Sequence, residues 1–306
     1  MKREPLILDI KGNSLDDGPG IRTVIFFKGC PLSCVWCQNP ESKKADVEIS
    51  FDEKECIGCD TCLDICPEGA LSRDNPFFID RERCSLCFDC AENCPALALT
   101  VVGREMSHDE IVAAVFKDKP FYDTSGGGVT LSGGEPTMFM DFTALLLRKL
   151  KSRGIHTLLE TCGLFNLSRF EEALYPYLDM IYYDLKLHDP DEHVRFCGAQ
   201  NDKIIENFIA LHRMSEEGGI PLLARVPLIP GITDRESNLG AIANLLQTQG
   251  VQTVQLLSYN PLWHEKERKI GVENPLSLQE PMTKWIDADK IERSKDIFRR
   301  ENIEVV

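Results

Sequence analysis

Apolar residues gather in six short runs: Thr23 to Lys28, Gly128 to Leu131, His156 to Glu160, Met180 to Asp184, Leu222 to Val226 and Thr253 to Leu257. From residue 103 onward these runs alternate with stretches that have amphipathic helical spacing, a pattern that predicts parallel α/β architecture. Ser107-His-Asp-Glu110 has the spacing of a capping box ahead of an apolar helix, and a helix from Asp141 to Arg153 is expected to stop at Gly154. Six strands with helices between them suit a partial (β/α)6 barrel of the TIM type, whose working residues sit at the carboxyl ends of the strands. The pattern breaks after the first strand. The expected organisation is the start of a barrel over residues 1–50, an insert over 51–102 and the rest of the barrel over 103–306.

The insert differs in composition as well as pattern. Residues 51–100 hold eleven Asp and Glu against four Lys and Arg, and eight of the chain's 13 cysteines. The cysteines fall in two similar runs, Cys56-Ile-Gly-Cys59-Asp-Thr-Cys62-Leu-Asp-Ile-Cys66-Pro67 and Cys84-Ser-Leu-Cys87-Phe-Asp-Cys90-Ala-Glu-Asn-Cys94-Pro95, an internal repeat. Neither half is long enough to bury a core, so metal is expected to supply folding energy. Both runs match the bacterial ferredoxin pattern, in which the fourth cysteine of each run ligates the other run's cluster. The expected sets are Cys56, Cys59, Cys62 and Cys94, and Cys84, Cys87, Cys90 and Cys66. Every iron is then covered, which suits electron transfer rather than substrate binding; zinc is the alternative weighed.

With 306 residues and 43% hydrophobic content the chain can fold a sizeable core. A net charge of -15 disfavours a general nucleic-acid surface. Met1 to Ser14 shows neither the apolar centre of a signal peptide nor a run able to span a bilayer. A cytoplasmic protein that is not held in a membrane is expected, and its clustered thiols read as metal ligands rather than disulfides.

The sharpest chemical signal is Cys30-Pro-Leu-Ser-Cys34-Val-Trp-Cys37, directly after the first strand. Three thiolates hold three irons of a four-iron cubane and leave the fourth open to substrate. A structural zinc site wants four ligands, and no neighbouring Cys or His plainly completes this one. Ser132-Gly133-Gly134-Glu135 follows the second strand; alone it is a turn, and without a Gly-Lys-Ser/Thr ending it is not a phosphate loop. Asp184-Leu-Lys186 ends the fourth strand, where the plain alternative is a rim salt bridge of small worth. Glu160-Thr161 and Arg225 end the third and fifth strands. Cys162 and Cys197 receive no role.

The C-x3-C-x2-C spacing resembles that of the radical S-adenosylmethionine (SAM) superfamily. The resemblance implies that the open iron at Cys30, Cys34 and Cys37 is chelated by the methionine portion of SAM. One electron then breaks the sulfonium C–S bond to give methionine and a 5′-deoxyadenosyl radical. It implies that Trp36 lies beside the adenine, ordinary packing being the alternative, and that Ser132, Gly133, Gly134 and Glu135 bind the methionine amino group. Asp184 and Lys186, with Glu160, Thr161 and Arg225, are placed beside the cofactor. Asp17-Gly18-Pro19-Gly20-Ile-Arg22 resembles the signature of glycyl radical enzyme activating enzymes, where it is associated with the partner's glycine loop. Asn39-Pro40-Glu41-Ser42 adds to the match.

What the resemblance implies is an oxidoreductase with three 4Fe-4S clusters, one binding SAM and two auxiliary. It acts in an anaerobic cytoplasm as a monomer on a glycyl radical enzyme, with flavodoxin or ferredoxin as electron donor. A docking face for that acidic donor is expected near Lys43-Lys44 or Lys266 to Lys269. One position departs from the family: Ser258-Tyr259-Asn260 stands where relatives often carry Pro-Tyr-His. Asn260 is taken as the substitute hydrogen-bonding group, and His264 as solvent-facing. The readings set against this one are a radical SAM enzyme acting on another peptide or small molecule, and a ferredoxin-like electron carrier with a non-catalytic barrel.

Overall fold

The computed structural model describes residues 4–306, and among these ten strands form two sheets. β1 (Leu6–Ser14) runs antiparallel to β2 (Arg22–Lys28), while β3 (Glu48–Phe51) and β4 (Leu99–Val102) pair only with each other. β5 (Gly128–Gly133), β6 (His156–Thr161), β7 (Met180–Asp184), β8 (Leu222–Pro227), β9 (Thr253–Leu257) and β10 (Glu304–Val305) complete the large sheet. Its order is β1-β2-β5-β6-β7-β8-β9-β10, and every neighbouring pair from β2 to β10 is parallel. Because parallel strands follow one another in chain order, their crossovers fall on one face and their carboxyl ends share one rim. The sheet stays open, with β1 and β10 at its edges.

The six runs of the sequence are β2 and β5 to β9. Residues of β2 and β5 are buried on both faces, which is why they read as continuous apolar stretches. The edge strands escape that signal. β1 alternates between half-buried and exposed positions along its middle and is interrupted by two register shifts, and β10 has two residues.

Two one-turn helices, α1 (Thr61–Ile65) and α2 (Asp89–Glu92), belong to the cysteine-rich segment. α3 (His108–Phe116) and α4 (Lys119–Ser125) lead into β5, and α5 (Met140–Lys151) joins β5 to β6. α6 (Leu167–Ala173), α7 (Pro190–Cys197), α8 (Asp202–Glu216) and α9 (Glu236–Thr248) make the next crossovers. α10 (Trp263–Lys269) and α11 (Ala288–Arg300) follow β9. The capping box forms: the Ser107 amide donates to Glu110 Oε2 at 2.8 Å and Ser107 Oγ accepts from the Glu110 amide at 3.3 Å. α5 ends at Lys151, short of the expected Arg153. Gly154, at φ +67, turns the chain so that the Ile155 amide reaches Leu150 O at 3.2 Å.

The cysteine-rich segment opens with β3 at Glu48, slightly before residue 51, and closes with β4. Its apolar group is small, with Ile49, Leu71, Phe78, Ile79 and Leu99 buried and Phe51 stacked on Phe78 at 4.1 Å. The sequence repeat is repeated in the backbone. Gly58, Asp60 and Gly69 of the first half, and Leu86, Phe88 and Leu97 at the matching positions of the second, all have left-handed φ between 54 and 73°. Non-glycine residues there cost about 1–2 kcal/mol each. A segment with so little apolar core holds three such conformations in its second half alone.

Candidate active site

The loop after β2 is held by the strand rim. The Gly29 amide donates to Ser42 O at 2.7 Å, Gly29 O accepts from the Glu135 amide at 2.8 Å, and the Cys30 amide donates to Lys43 O at 3.2 Å. The next turn is pinned to the end of α7, with Ser33 N to Cys197 O at 2.8 Å and Val35 N to Phe196 O at 3.0 Å. These ties bring Cys30, Cys34 and Cys37 to a cavity of about 340 Å³ at the carboxyl ends of the strands. Ser132 to Gly134, Glu160, Thr161, Asp184, Lys186 and Arg225 line the same cavity. Trp36 lines it too while 96% shielded from solvent, packed with Leu32, Tyr259 and Trp263.

One charge network spans four strands. Ser132 Oγ donates to Glu160 Oε2 at 2.6 Å; Arg225 donates to Glu160 and, through Nε, to Asp184 Oδ1 at 2.8 Å; Lys186 Nζ donates to Asp184 Oδ2 at 2.9 Å. The Arg225 guanidinium also lies 5.1 Å over the Tyr182 ring. The side chains of Asp184 and Lys186 are only 20% and 12% exposed, so this is not a solvated rim pair. Burial alone would raise the Asp184 pKa, but the charges of Arg225 and Lys186 overcome it and hold the carboxyl below its usual range. For Lys186, burial works against the charge, and Asp184 with the thiols of Cys34 and Cys162 more than reverses it, so its pKa is raised.

The three thiols are not equivalent. A hydrogen bond from Cys197 brings Cys34 down to about 7 against its burial, with help from Lys186 and Lys43. Burial and the neighbouring Cys34 push Cys37 up to about 12. Cys162 lies beside Cys30, and that contact together with burial holds its proton on. The two cysteines left without a role thus pack against two of the three in the motif.

Several site residues behave differently from expectation. Glu135 is 99% shielded and does not face the cavity. Its carboxylate accepts from Thr137 N and Oγ1, from Thr161 Oγ1 at 3.0 Å and from Cys162 N at 2.7 Å, so it fastens the end of β6 to the end of β5. Gly133 and Gly134 make room for the cysteine loop: added Cβ atoms would meet Phe27 N at 2.5 Å and Gly29 O at 2.2 Å. Arg22, expected against the partner, is fully buried and donates to Thr130 Oγ1 at 2.6 Å, Val129 O at 2.8 Å and Pro19 O at 3.2 Å. It is a strut beneath the turn. Asp17 lines the cavity with its carbonyl accepting from Thr130 Oγ1 at 2.7 Å, Pro19 is exposed, and Gly18 and Gly20 take φ +128 and +70.

Asn260 does not line the cavity; its side-chain oxygen caps Leu262 N and its backbone oxygen accepts from Gln38 Nε2, both at 2.9 Å. His264 is half-buried, not solvent-facing, with Nε2 2.6 Å from Met282 O. Asp16, Gln38 and Pro227 line the cavity without having been singled out in the sequence, and of Ser258-Tyr259-Asn260 it is Ser258 and Tyr259, not Asn260, that line it. Pro227 could have been found from its position at the end of β8.

The Radical SAM superfamily model matches residues 24–239. The isethionate sulfite-lyase activating enzyme of Nitratidesulfovibrio vulgaris is 42% identical over 90% of both chains. The trans-4-hydroxy-L-proline dehydratase activating enzyme of Clostridioides difficile is 39% identical over 97% of both. The benzylsuccinate synthase activating enzyme of Thauera aromatica is 40% identical over 84% of this chain and 78% of its own. This chain belongs to the glycyl radical enzyme activating enzymes of the radical SAM superfamily. Among solved structures, a radical SAM methyltransferase from Sphaerobacter thermophilus shares the fold, with TM-score 0.53 and 14% identity over 98% of this chain and 76% of that one.

In this activating enzyme the eight remaining clustered cysteines separate into two groups. The Cys62 thiol has Cys56, Cys59 and Cys94 as its charged neighbours, and the Cys90 thiol has Cys84, Cys87 and Cys66. The fourth thiol of each group therefore comes from the other run. Among the described residues no three His, Cys, Asp or Glu side chains converge on a point where a single metal ion could sit. The expected basic docking faces are engaged within the chain: Lys43 with Glu267, Lys44 with Glu48, Lys266 with Glu41 and Lys269 with Asp52. No helix among the described residues is long and apolar enough to cross a membrane.

Proposed function

We propose that this activating enzyme installs a radical on a partner glycyl radical enzyme by removing one hydrogen from a glycine Cα. When bound, the four-iron cluster and SAM supply reductive cleavage of the sulfonium and the 5′-deoxyadenosyl radical. The donor set fits them: the three thiols of the motif share one cavity, Cys162, which also lines it, packs against Cys30 and keeps its proton, and an ammonium group, Lys186, stands close to them. Lys186 would hold the methionine carboxylate, the open backbone at Gly133 and Gly134 its amino group, and Trp36 one face of the adenine. Arg225 keeps Asp184 and Glu160 oriented. Tyr259 and Ile229 shield the cavity from water on the side of β8 and β9.

One observation carries the choice of substrate: Asp16 and Asp17, from the signature turn between β1 and β2, line the cavity that holds the cysteine loop. Carboxylates in the cavity wall with Pro19 exposed beside them suit an extended glycine loop delivered by a partner. Incubation with the lyase and dehydratase classes named by the relatives, SAM and a reductant tests this, with the glycyl radical read by electron paramagnetic resonance. No radical on any such partner, with steady release of 5′-deoxyadenosine, would favour a different peptide or a small molecule.

The ferredoxin-like reading of residues 51–102 is supported by the crossed thiol groups and the duplicated left-handed backbone positions. We assign two auxiliary four-iron clusters to them. Cys56, Cys59, Cys62 and Cys94 line one cavity between the two runs. A one-electron carrier of the flavodoxin or ferredoxin class is the proposed donor.

A further inference from the structure

The cysteine-rich segment and the loop after Cys37 both contact one short helix, α10. On one side of α10, Glu265 accepts from Lys54 at 2.7 Å, Arg268 pairs with Glu53 at 3.0 Å, Lys269 pairs with Asp52 at 2.6 Å, and Lys269 O accepts from Arg81 Nη2 at 3.2 Å. Gly271, at φ +70, permits the last approach, because a Cβ there would meet Arg81 Nε at 2.2 Å. Cys56 faces this side of the helix across a cleft of about 450 Å³. On the other side, Lys266 Nζ donates to Gln38 O at 2.9 Å and to Asn39 Oδ1 at 3.0 Å, immediately after Cys37. Inward, Trp263 is fully buried and its indole N–H donates to Tyr259 Oη at 2.7 Å, while Tyr259 lines the radical cavity.

We propose that α10 is the bridge by which an electron passes from the Cys56, Cys59, Cys62, Cys94 group to the site at Cys30, Cys34 and Cys37, a role that rests on the assignment of clusters to the insert. A low-potential one-electron protein donor of the flavodoxin class is oxidised by one electron and reduces the insert. The insert returns to its oxidised state as the electron crosses α10, and no bond is made or broken. Electron tunnelling falls steeply with separation and with loss of packed contact. The charge pairs on the insert side of α10 therefore set the transfer rate by fixing how closely the Cys56 group is held. The group with Cys56 is the proximal one in this assignment, and the electron enters the receiving loop where Lys266 holds Gln38 and Asn39, next to Cys37.

The test uses anaerobically loaded holoenzyme and reduced flavodoxin at saturating concentration, so that the intramolecular step is read. Reduction of the site cluster is followed by freeze-quench electron paramagnetic resonance, the site cluster being marked by its response to SAM. Lys54→Glu with Arg268→Glu sets like charges against Glu265 and Glu53. All four side chains are more than half exposed, so the fold tolerates the change. The site cluster should then be reduced several-fold more slowly by flavodoxin at unchanged iron content, and at the wild-type rate by dithionite. Adding Glu265→Lys and Glu53→Lys should restore the flavodoxin rate, because the pairs are rebuilt with reversed sign. An unchanged flavodoxin rate in the double variant, or an equal slowing with dithionite, overturns the bridge. Wild-type protein holding only about four irons, one cubane, would remove the underlying cluster assignment instead.

Discussion

Lys186 and Arg225 sit in one network yet should fail differently. Replacing Lys186 with Ala leaves Asp184 paired with Arg225, so the fold persists and the loss falls on the cofactor. A charge-assisted hydrogen bond of about 1.5–3 kcal/mol corresponds to a roughly 10- to 100-fold weaker affinity for SAM, measurable by equilibrium dialysis at unchanged iron content. Replacing Arg225 leaves the buried Glu160 carboxylate without its counter-charge and Asp184 with Lys186 alone, and should cost about 3–5 kcal/mol of stability, seen as a lowered denaturation midpoint. The signs of the shifts give a pH prediction. Because the Lys186 pKa is raised, its charge is kept as pH rises through the ordinary lysine value of about 10.4. Because the Asp184 pKa is lowered, it stays ionised down to below about 3.9. SAM affinity should therefore show no loss between neutral and mildly alkaline pH; a fall centred near pH 9 would place an unpaired group at the carboxylate.

At the scale of elements, the signature turn divides into a cavity-lining carboxylate and a strut. Asp17→Ala should lower activation of the partner far more than uncoupled SAM cleavage, since Asp17 lines the cavity but lies outside the cysteine loop and the Asp184–Lys186 network. Arg22→Ala should lower both, together with thermal stability, because a fully buried guanidinium with three hydrogen-bond acceptors is removed. Equal and selective partner defects in the two variants would argue against this division. The insert offers a backbone test. Leu97 is 70% exposed and left-handed, so Leu97→Gly loses little packing and relieves strain. Holoenzyme with this change should gain on the order of 1 kcal/mol in denaturant unfolding, whereas a comparable loss would mean that the leucine is held by contacts that outweigh its backbone.

These elements also show what was legible beforehand. β2 and β5 to β7 could be read because burial on both faces writes continuous apolar runs, and the cysteine groups because ligand spacing is local. β1 could not, since an edge strand with alternating burial resembles a polar loop. The orientation of Glu135 was hidden for another reason. Sequence places it at the rim, but whether its carboxylate faces ligand or backbone depends on Thr161 and Cys162, which arrive from the neighbouring strand. Arg22 was misjudged likewise: its motif marks the turn, while its burial is decided by Thr130 and Val129 on β5.

For the whole molecule, three cysteine groups should give about 12 irons in anaerobically reconstituted protein, and about eight in a Cys30→Ala, Cys34→Ala, Cys37→Ala variant that no longer cleaves SAM. The most direct measurement of the central claim follows one hydrogen atom. A partner glycyl radical enzyme labelled with deuterium at glycine Cα is incubated with the holoenzyme, SAM and a reductant, and the 5′-deoxyadenosine is examined by mass spectrometry. The account predicts one deuterium in each 5′-deoxyadenosine formed during activation, matched by a radical on the partner's glycine; unlabelled 5′-deoxyadenosine appearing alongside a glycyl radical would contradict it.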